Sequence, residues 1–196
     1  MIEYESMLTG VTADTSKNLQ LDAGVFLTDY TLGEDIVAEN ILGATRGGGT
    51  VSIVPVIHHV DADGIPANFK RMDRIDEITA TISTTMLEVT PEAIVAAMGG
   101  AAEIESGRED GNVHITIGHT LKDSSYRTIW WLGNMSDGRL IAVKLSNAMS
   151  KEGLQLSISS KGEGTYPVSL TAHYDTTSYL GAKAPVDVYF IKKAED

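Results

Sequence analysis

Hydrophobic and polar residues alternate along much of this chain, most clearly between residues 74 and 90. Apolar residues take alternate positions from 78 to 86, and hydroxyl residues take the positions between them. The apolar set is Ile78, Ala80, Ile82 and Met86, and the hydroxyl set is Thr79, Thr81, Ser83 and Thr85. A period of two in a segment rich in β-branched residues predicts a strand with one buried face.

A helix is predicted directly after this strand. Thr90 supplies a side-chain oxygen for the N-cap, and Pro91 suits the first helical position. Ile94 and Met98 are four residues apart and therefore share one helical face. The glycines at 99–100 end the helix. We predict no other helix in the chain.

The same alternation predicts further strands, separated by segments rich in turn residues. They cover residues 23–29, 50–60, 113–117, 127–132, 139–145, 154–158, 166–174 and 186–190. Turns are predicted at 43–49, 61–66, 133–138 and 161–164. This number of strands predicts an all-β fold, an antiparallel two-sheet β-sandwich or barrel with one flanking α-helix.

Residues 50–89 are predicted to form one long hairpin with an extended tip. Pro55 lacks the N–H group that a central strand requires, so it indicates an edge, a bulge or a bend. The three glycines at 47–49 indicate a backbone turn with positive φ, or the close approach of another chain.

Composition limits the classes of function. The 196 residues are expected to form a single domain, 1–196, and the absence of cysteine excludes disulfides and thiolate metal sites. No apolar segment approaches the roughly 20 residues needed to span a membrane, so no membrane partner is expected. The net charge of −12 argues against binding of nucleic acid through phosphate neutralisation. It is compatible with a surface that DNA passes without adhering.

The segment from His58 to Asp63 holds the most plausible metal ligands. On a strand, His59, Asp61 and Asp63 would share a face, and imidazole with carboxylates is a suitable ligand set. His58 would point the other way. The calcium-loop pattern fails because its twelfth position, counted from Asp61, is Met72 rather than Glu. A polar hairpin tip without metal is the favoured interpretation.

Motifs for catalysis are missing from the sequence. No phosphate loop, nucleophile elbow or zinc-protease motif occurs, although a glycosidase-type carboxylate pair stays open. We therefore expect a non-enzymatic protein with no catalytic residues, no metal and no cofactor. Of the adjacent Trp130 and Trp131, one is expected in the core. The other would face a sugar, a subunit interface or a covering segment of the chain.

Five segments, in the same order and spacing, resemble the major tail protein (tail tube protein) of long-tailed bacteriophages with non-contractile tails. The resemblance spans residues 21–175. The segments are LDAGVFLTDY (21–30), ILGATRGGGTVSIVP (41–55), RIDEITATISTTMLEVT (74–90), IWWLGNMSDGRLIAVKLSNAMSKEGLQLSIS (129–159) and KGEGTYPVSLTAHYD (161–175).

The resemblance implies a virion protein that assembles in the host bacterial cytoplasm into hexameric rings, which stack into a hollow tube for DNA ejection. By position, residues 57–71 match a loop that reaches the neighbouring ring, and 90–98 match a helix flanking the sandwich. Residues 1–20 and 176–196 would form terminal arms. The implied loop residues are His58, His59, Asp61, Asp63, Lys70 and Arg71, and the implied helix residues are Pro91, Ile94 and Met98.

Under this interpretation the polar strand faces line the lumen of a negatively charged conduit. The expected lumen-facing residues are Thr50, Ser52, Thr79, Thr81, Ser83 and Thr85. Implied partners are further copies of the chain, the tape-measure, tail tip and tail terminator proteins, and viral DNA in transit without specific binding. Two alternatives stay open: the tube protein of a contractile or secretion apparatus, and a carbohydrate-binding β-sandwich module.

Overall fold

The computed structural model describes residues 10–61, 63–64, 69–100, 102–105, 112–176 and 183–192. Short 3₁₀ turns lie at Thr15–Asn18, Ala38–Asn40 and Asp123–Ser125. The strands and the helix are β1 Gln20–Thr28, β2 Thr45–His59, β3 Asp73–Met86, α1 Pro91–Met98, β4 Ala102–Glu105, β5 His114–Ile117, β6 Arg127–Met135, β7 Leu140–Ser150, β8 Tyr166–Thr171 and β9 Val186–Ile191.

Two antiparallel layers share the long strand β7. In the first layer the strand order is β1, β6, β7 and β9, and in the second layer it is β7, β8, β3 and β2. The first part of β7 pairs with β6 and β9, whereas its last two residues, Met149 and Ser150, pair with β8. Asn147 has a φ of 50° where β7 passes from one layer to the other. A small pair, β4 with β5, lies outside these layers.

The main hydrophobic core lies between the two layers and under α1. The first layer contributes Phe26, Ile129 and Leu145, and the second layer contributes Ile82 and Leu170. A second cluster, on the outer face of the first layer, contains Leu27, Trp130, Leu132 and Ala142. The predicted all-β antiparallel fold with a flanking helix is therefore confirmed.

The predicted strand and helix of residues 78–98 are both present. The Thr90 side chain accepts a hydrogen bond from the Ala93 N–H at 3.2 Å, and Pro91 occupies the first turn. Gly99 ends the helix with a φ of 84°. The most deeply buried helical residues are Ala93 and Ala97, while Ile94 packs against the margin of the core. Small side chains let the helix approach the sheet closely.

The turn predicted at 43–49 is wrong. β2 begins at Thr45, and the glycines form a bulge within the strand, where the pairing with β3 shifts between Arg46 and Gly49. Gly47 and Gly48 have φ values of 77° and 76°. A Cβ atom at Gly49 would lie 2.7 Å from the Phe26 ring, so this position admits no side chain. The glycines therefore allow close packing between the two layers.

Other elements also differ from the prediction. β6 continues to Met135, so the loop predicted at 133–138 is reduced to a turn at 136–138. Residues 154–158 form only an isolated bridge from Ser157 to Thr165, and Ile158 is 83% exposed. β4 was not predicted.

Parts of both predicted terminal arms, residues 1–9, 177–182 and 193–196, lie outside the described residues. The part of the N-terminal segment that is described packs against the β6–β7 turn. There Arg139 donates to the Asn18 side chain at 2.7 Å, and the Ser136 N–H donates to the Leu19 carbonyl. None of the described helices is long and apolar enough to cross a membrane.

Candidate assembly surface

One side of the second layer carries a continuous row of hydroxyl side chains. Across β2 and β3, Thr50 pairs with Ser83 and Ser52 pairs with Thr81. β8 extends the rows, because its residues 169 and 171 pair with residues 83 and 81. We call this surface the hydroxyl face, formed by Thr50, Ser52, Thr79, Thr81, Ser83, Thr85, Ser169 and Thr171. The six residues expected to line a lumen therefore lie on one face of one sheet.

Ser169 and Thr171 were not among the expected residues. Their signal was present, because Tyr166, Val168 and Leu170 alternate with them and are buried. The Thr81 and Thr171 hydroxyl oxygens are 3.3 Å apart. Side-chain hydrogen bonding thus continues across β3 and β8, and the face extends further than the hairpin alone.

The other side of β3 forms the core in the part of the hairpin that adjoins β8. Ala80, Ile82 and Met86 are all buried there. Thr84 is also buried, and its hydroxyl donates to the Gly48 carbonyl at 2.8 Å. This bond fixes the glycine bulge of β2 against β3.

The remaining part of the hairpin extends beyond the core as a two-stranded segment. We call residues 53–59 and 73–78 the ribbon. β8 pairs with β3 from Thr81 to Met86, so among the described strands those of the ribbon pair only with each other. Val54, Ile57 and Ile75 are 53%, 59% and 59% exposed, and Ile53 and Val56 are exposed as well. Ile53, Ile57 and Ile75 lie on the core side of the ribbon and Val54 and Val56 on the other, and exposed apolar residues clustered in this way are typical of an interaction site.

Contacts between histidine and aspartate side chains join the two strands at the tip of the ribbon. His59 Nδ1 lies 2.7 Å from Asp73, and His59 Nε2 lies 3.6 Å from Asp61. His58 lies 3.9 Å from Asp76, which also accepts from Arg74 at 2.7 Å. In the described part of the tip, Asp63, Lys70 and Arg71 are exposed and have no ion pair.

This geometry does not favour the metal interpretation of the tip. Asp61 and Asp73 contact opposite ring nitrogens of His59, so a cation bound to either nitrogen would have only one of these carboxylates beside it. Within the described residues, no group of three or more His, Asp or Glu side chains is placed to hold a metal ion.

The adjacent tryptophans face opposite sides of the first layer. Trp130 is 3% exposed, because Tyr189 stacks on its ring and the Tyr30 ring meets it edge-on. The Trp131 indole N–H donates to the Ala23 carbonyl at 2.9 Å. A Cβ atom at Gly133 would lie 2.6 Å from the Trp131 ring, which therefore rests on the strand backbone. Trp130 thus offers no open platform for a sugar.

Hydrogen bonds, burial and a nearby charge shift the pKa values of three side chains. The hydrogen bond from Arg46 lowers the pKa of Glu163, and their side chains lie 2.9 Å apart. Burial, followed by the charge of Glu88, raises the pKa of Tyr166, whose hydroxyl donates to the Glu88 carbonyl. The backbone N–H of Arg139 lowers the pKa of Asp137 at the β6–β7 turn. These groups stabilise turns and offer no catalytic arrangement.

Comparison with known proteins gives distant structural likeness only. No family model matches this chain, and no curated protein matches it. A chain in the tail of an empty gene transfer agent (GTA) particle, computed with helical refinement in C6 symmetry, is 12% identical with a TM-score of 0.43. That match covers 78% of this chain and 92% of the other.

A chain in the virion of a native gene transfer agent particle is 11% identical with a TM-score of 0.42, and the match covers 85% of this chain and 95% of the other. Similarity at this level carries no argument about function, so the function of this chain has to be inferred from its own residues.

Proposed function

We propose that this protein is the structural subunit of a bacteriophage tail tube, assembling into stacked hexameric rings around a conduit for DNA. The observation that carries the proposal is the β2–β3 hairpin, which joins a hydroxyl face to an exposed apolar ribbon. Such a ribbon adds little to the stability of a monomer, since an isolated two-stranded hairpin is at best marginally stable in water. Contacts with other copies would cover it.

The hydroxyl face suits the wall of a conduit for DNA. Its side chains are uncharged and supply none of the cationic contacts through which proteins hold phosphates. The acids that give the chain its charge of −12 would supply the negative potential around this face. DNA would then pass along the wall without adhering.

Edge contacts suit the assembly into rings. β2 is the last strand of its layer, so its outer edge presents unpaired backbone groups. A head-to-tail contact between unlike edges closes into a ring when the rotation closes, and it removes these free edges. Within the predicted loop 57–71, the part from His58 onward, which includes the tip pairs of His58 and His59, would reach the next ring. The tape-measure, tail tip and tail terminator proteins would complete the tail.

Negative-stain electron microscopy over a concentration series tests the assembly. We expect rings or hollow tubes from the full chain. Deletion of residues 61–66 should leave rings that do not stack, because the tip is then too short to reach the next ring. A variant with a Gly–Ser segment of the same length separates loop length from loop chemistry. Tubes of normal length from the deletion variant would contradict the role of the tip.

Cysteine labelling tests which face lines the lumen. The chain has no cysteine, so Ser52→Cys provides a single reactive thiol on the hydroxyl face. In assembled tubes we expect a small maleimide to react and a maleimide carrying a long polymer to be excluded, whereas both should react with unassembled protein. Equal reaction of the large reagent with tubes and with monomer would contradict the placement of this face.

The alternatives give different results in the same experiments. A tube protein of a contractile or secretion apparatus would form the same rings and would also bind a sheath protein. A persistent monomer that binds oligosaccharides, even when co-expressed with tail tip proteins, would favour the carbohydrate-binding module. The covered ring of Trp130 does not favour that alternative.

A further inference from the structure

A cleft of about 470 Å³ opens beneath α1, at the edge of the second layer opposite β2. Its apolar walls include Val95 and Ala96 of α1, Ile104 of β4 and Leu170 of β8. Because Leu170 pairs with Ile82, a core residue of β3, this wall of the cleft is on the core side of the sheet. The cleft is therefore a part of the core region that the described residues leave unfilled.

Two polar groups at the cleft also lack partners among the residues that the structure describes. The Ser150 hydroxyl is buried without a hydrogen-bond partner, and Ser150 lines the cleft. Arg127 lines it too and forms no ion pair within the part of the chain that the structure describes. Buried polar groups are usually satisfied in a complete structure. The buried hydroxyl of Ser150 is an exception here, and a polar group entering the cleft would satisfy it.

The ribbon carries apolar side chains that match the apolar walls of this cleft. They lie on the core side of the sheet, as the cleft does. Residues 51, 53, 55 and 57 of β2 alternate onto the same side as the core residues Ala80 and Ile82. Ile57 pairs with Ile75 beyond a bulge in β3, so both isoleucines continue the core side. Ile53, Ile57 and Ile75 are 41%, 59% and 59% exposed. Val54 and Val56 point to the opposite side, with the hydroxyl face.

We propose that the core-side isoleucines of one copy's ribbon fill the α1 cleft of the next copy around the ring. The inference rests on the proposed function and identifies the two surfaces that join neighbouring subunits. When a sheet continues from one chain to the next, its two sides are preserved. Side chains on the core side of one edge then meet the core side of the other edge. Because the two surfaces differ and lie at opposite edges, the contact is heterologous, and it propagates until the ring closes.

Disulfide cross-linking tests the contact directly, because the natural chain has no cysteine. Double variants combine Ala96→Cys in the cleft with Ile53→Cys or Ile57→Cys in the ribbon. On oxidation of assembled protein we expect, from at least one pair, a ladder of covalent dimers, trimers and larger species that ends at the number of subunits in the ring. Each single-cysteine variant can give dimers at most.

The matched control is Val54→Cys with Ala96→Cys. Val54 is the neighbour of Ile53 and is exposed to a similar extent, but it points to the other side of the sheet. We expect no ladder from this pair. A ladder from the Val54 pair alone, or dimers from Ile53→Cys alone, would overturn the proposal. The second result would indicate a symmetric contact between ribbons.

A charge placed on either side of the ribbon gives an independent readout. Ile57→Asp should abolish rings in sedimentation and microscopy, whereas Val54→Asp should retain them. Both side chains are more than half exposed, so the thermal midpoints of the two monomers should stay close to that of the unsubstituted protein. Rings from Ile57→Asp would overturn the proposal. If the unsubstituted protein itself formed no rings at any concentration, the tube function would fail and not this contact alone.

Discussion

The two halves of the β2–β3 hairpin share an apolar core side and have very different surroundings. In both halves, apolar residues occupy the core side of the strands. In the half next to β8, Ile82 is 1% exposed, whereas Ile57 and Ile75 in the ribbon are 59% exposed. The alternation of residue types thus decides which side of a strand is apolar. Whether that side is covered depends on other elements.

The difference comes from what packs on each half. β8 pairs with β3 from Thr81 to Met86, and α1 packs nearby over the same core. The Tyr174 hydroxyl accepts from the Ile78 N–H at 2.9 Å, near the base of the ribbon. Beyond this point the two ribbon strands pair with each other and with no other described strand. We conclude that the core side of the ribbon is apolar but has no described neighbour that covers it.

Truncation of one isoleucine in each half gives the largest expected effect. Ile82→Ala should lower the free energy of unfolding by about 2–5 kcal/mol, because it leaves a cavity in a close-packed core. Ile57→Ala should change it by no more than about 0.5 kcal/mol, since the side chain is already in water. Urea unfolding of dilute, unassembled protein measures both. Similar losses for the two variants would show that the ribbon is covered within the monomer.

The Arg46–Glu163 pair gives a smaller effect and tests what fixes the start of β2. The pKa of Glu163 lies below its ordinary value of 4.5, so the folded state favours the carboxylate more than the unfolded chain does. This stabilisation is present above pH 4.5 and is lost as the pH falls through the lowered pKa. Arg46→Gln should therefore lower the thermal midpoint slightly at pH 7 and not at strongly acidic pH.

The matched variant in the ribbon is Arg74→Gln. Its partner Asp76 belongs to the same strand, so this pair ties no two elements together. We expect a smaller change at pH 7 than for Arg46→Gln. An Arg46→Gln difference that persisted at acidic pH would mean that the arginine acts through packing and not through the Glu163 charge.

Local signals predicted much of the fold. The segment from Ile78 to Met98 was predicted almost residue by residue, because strand alternation, a threonine cap, a proline and two glycines all agree there. The strand at 186–190 was predicted from its alternating residues, with Val186, Val188 and Phe190 at every second position. Yet its apolar residues Val188 and Phe190 are exposed, while Tyr189 packs on Trp130. The period of two therefore predicts that the segment is a strand. It does not predict which side of the strand the rest of the protein covers.

The errors have a common physical cause, which is tertiary packing. Three successive glycines indicate a turn locally, but the close approach of Phe26 and Ser83 to Gly49 makes them a bulge within β2. Apolar and polar residues alternate over 154–158, as is typical of a strand. Among the described residues, however, only Ser157 of this segment forms a bridge, and its partner is Thr165. A strand requires a partner, and the partner is not encoded in the segment itself.

The candidate surface was partly predictable. The alternation of threonine and serine placed six hydroxyl residues on one face, and pairing with β8 added Ser169 and Thr171. The exposure of the ribbon could not be predicted, because it follows from where β8 stops pairing with β3. The cleft under α1 likewise depends on how α1 and β4 lie against β7, which is far from both of them in the sequence.

The order in which β1 and the hairpin find their partners has a consequence for synthesis of the chain. β1 pairs with β6, and β2, β3, α1, β4 and β5 all lie between them in sequence. The hairpin contacts are local and can form as soon as β3 leaves the ribosome, whereas β1 must wait for β6. A nascent chain therefore presents the apolar ribbon long before its own core is closed. The more copies are translated close together, the greater the risk that ribbons meet before subunits are complete.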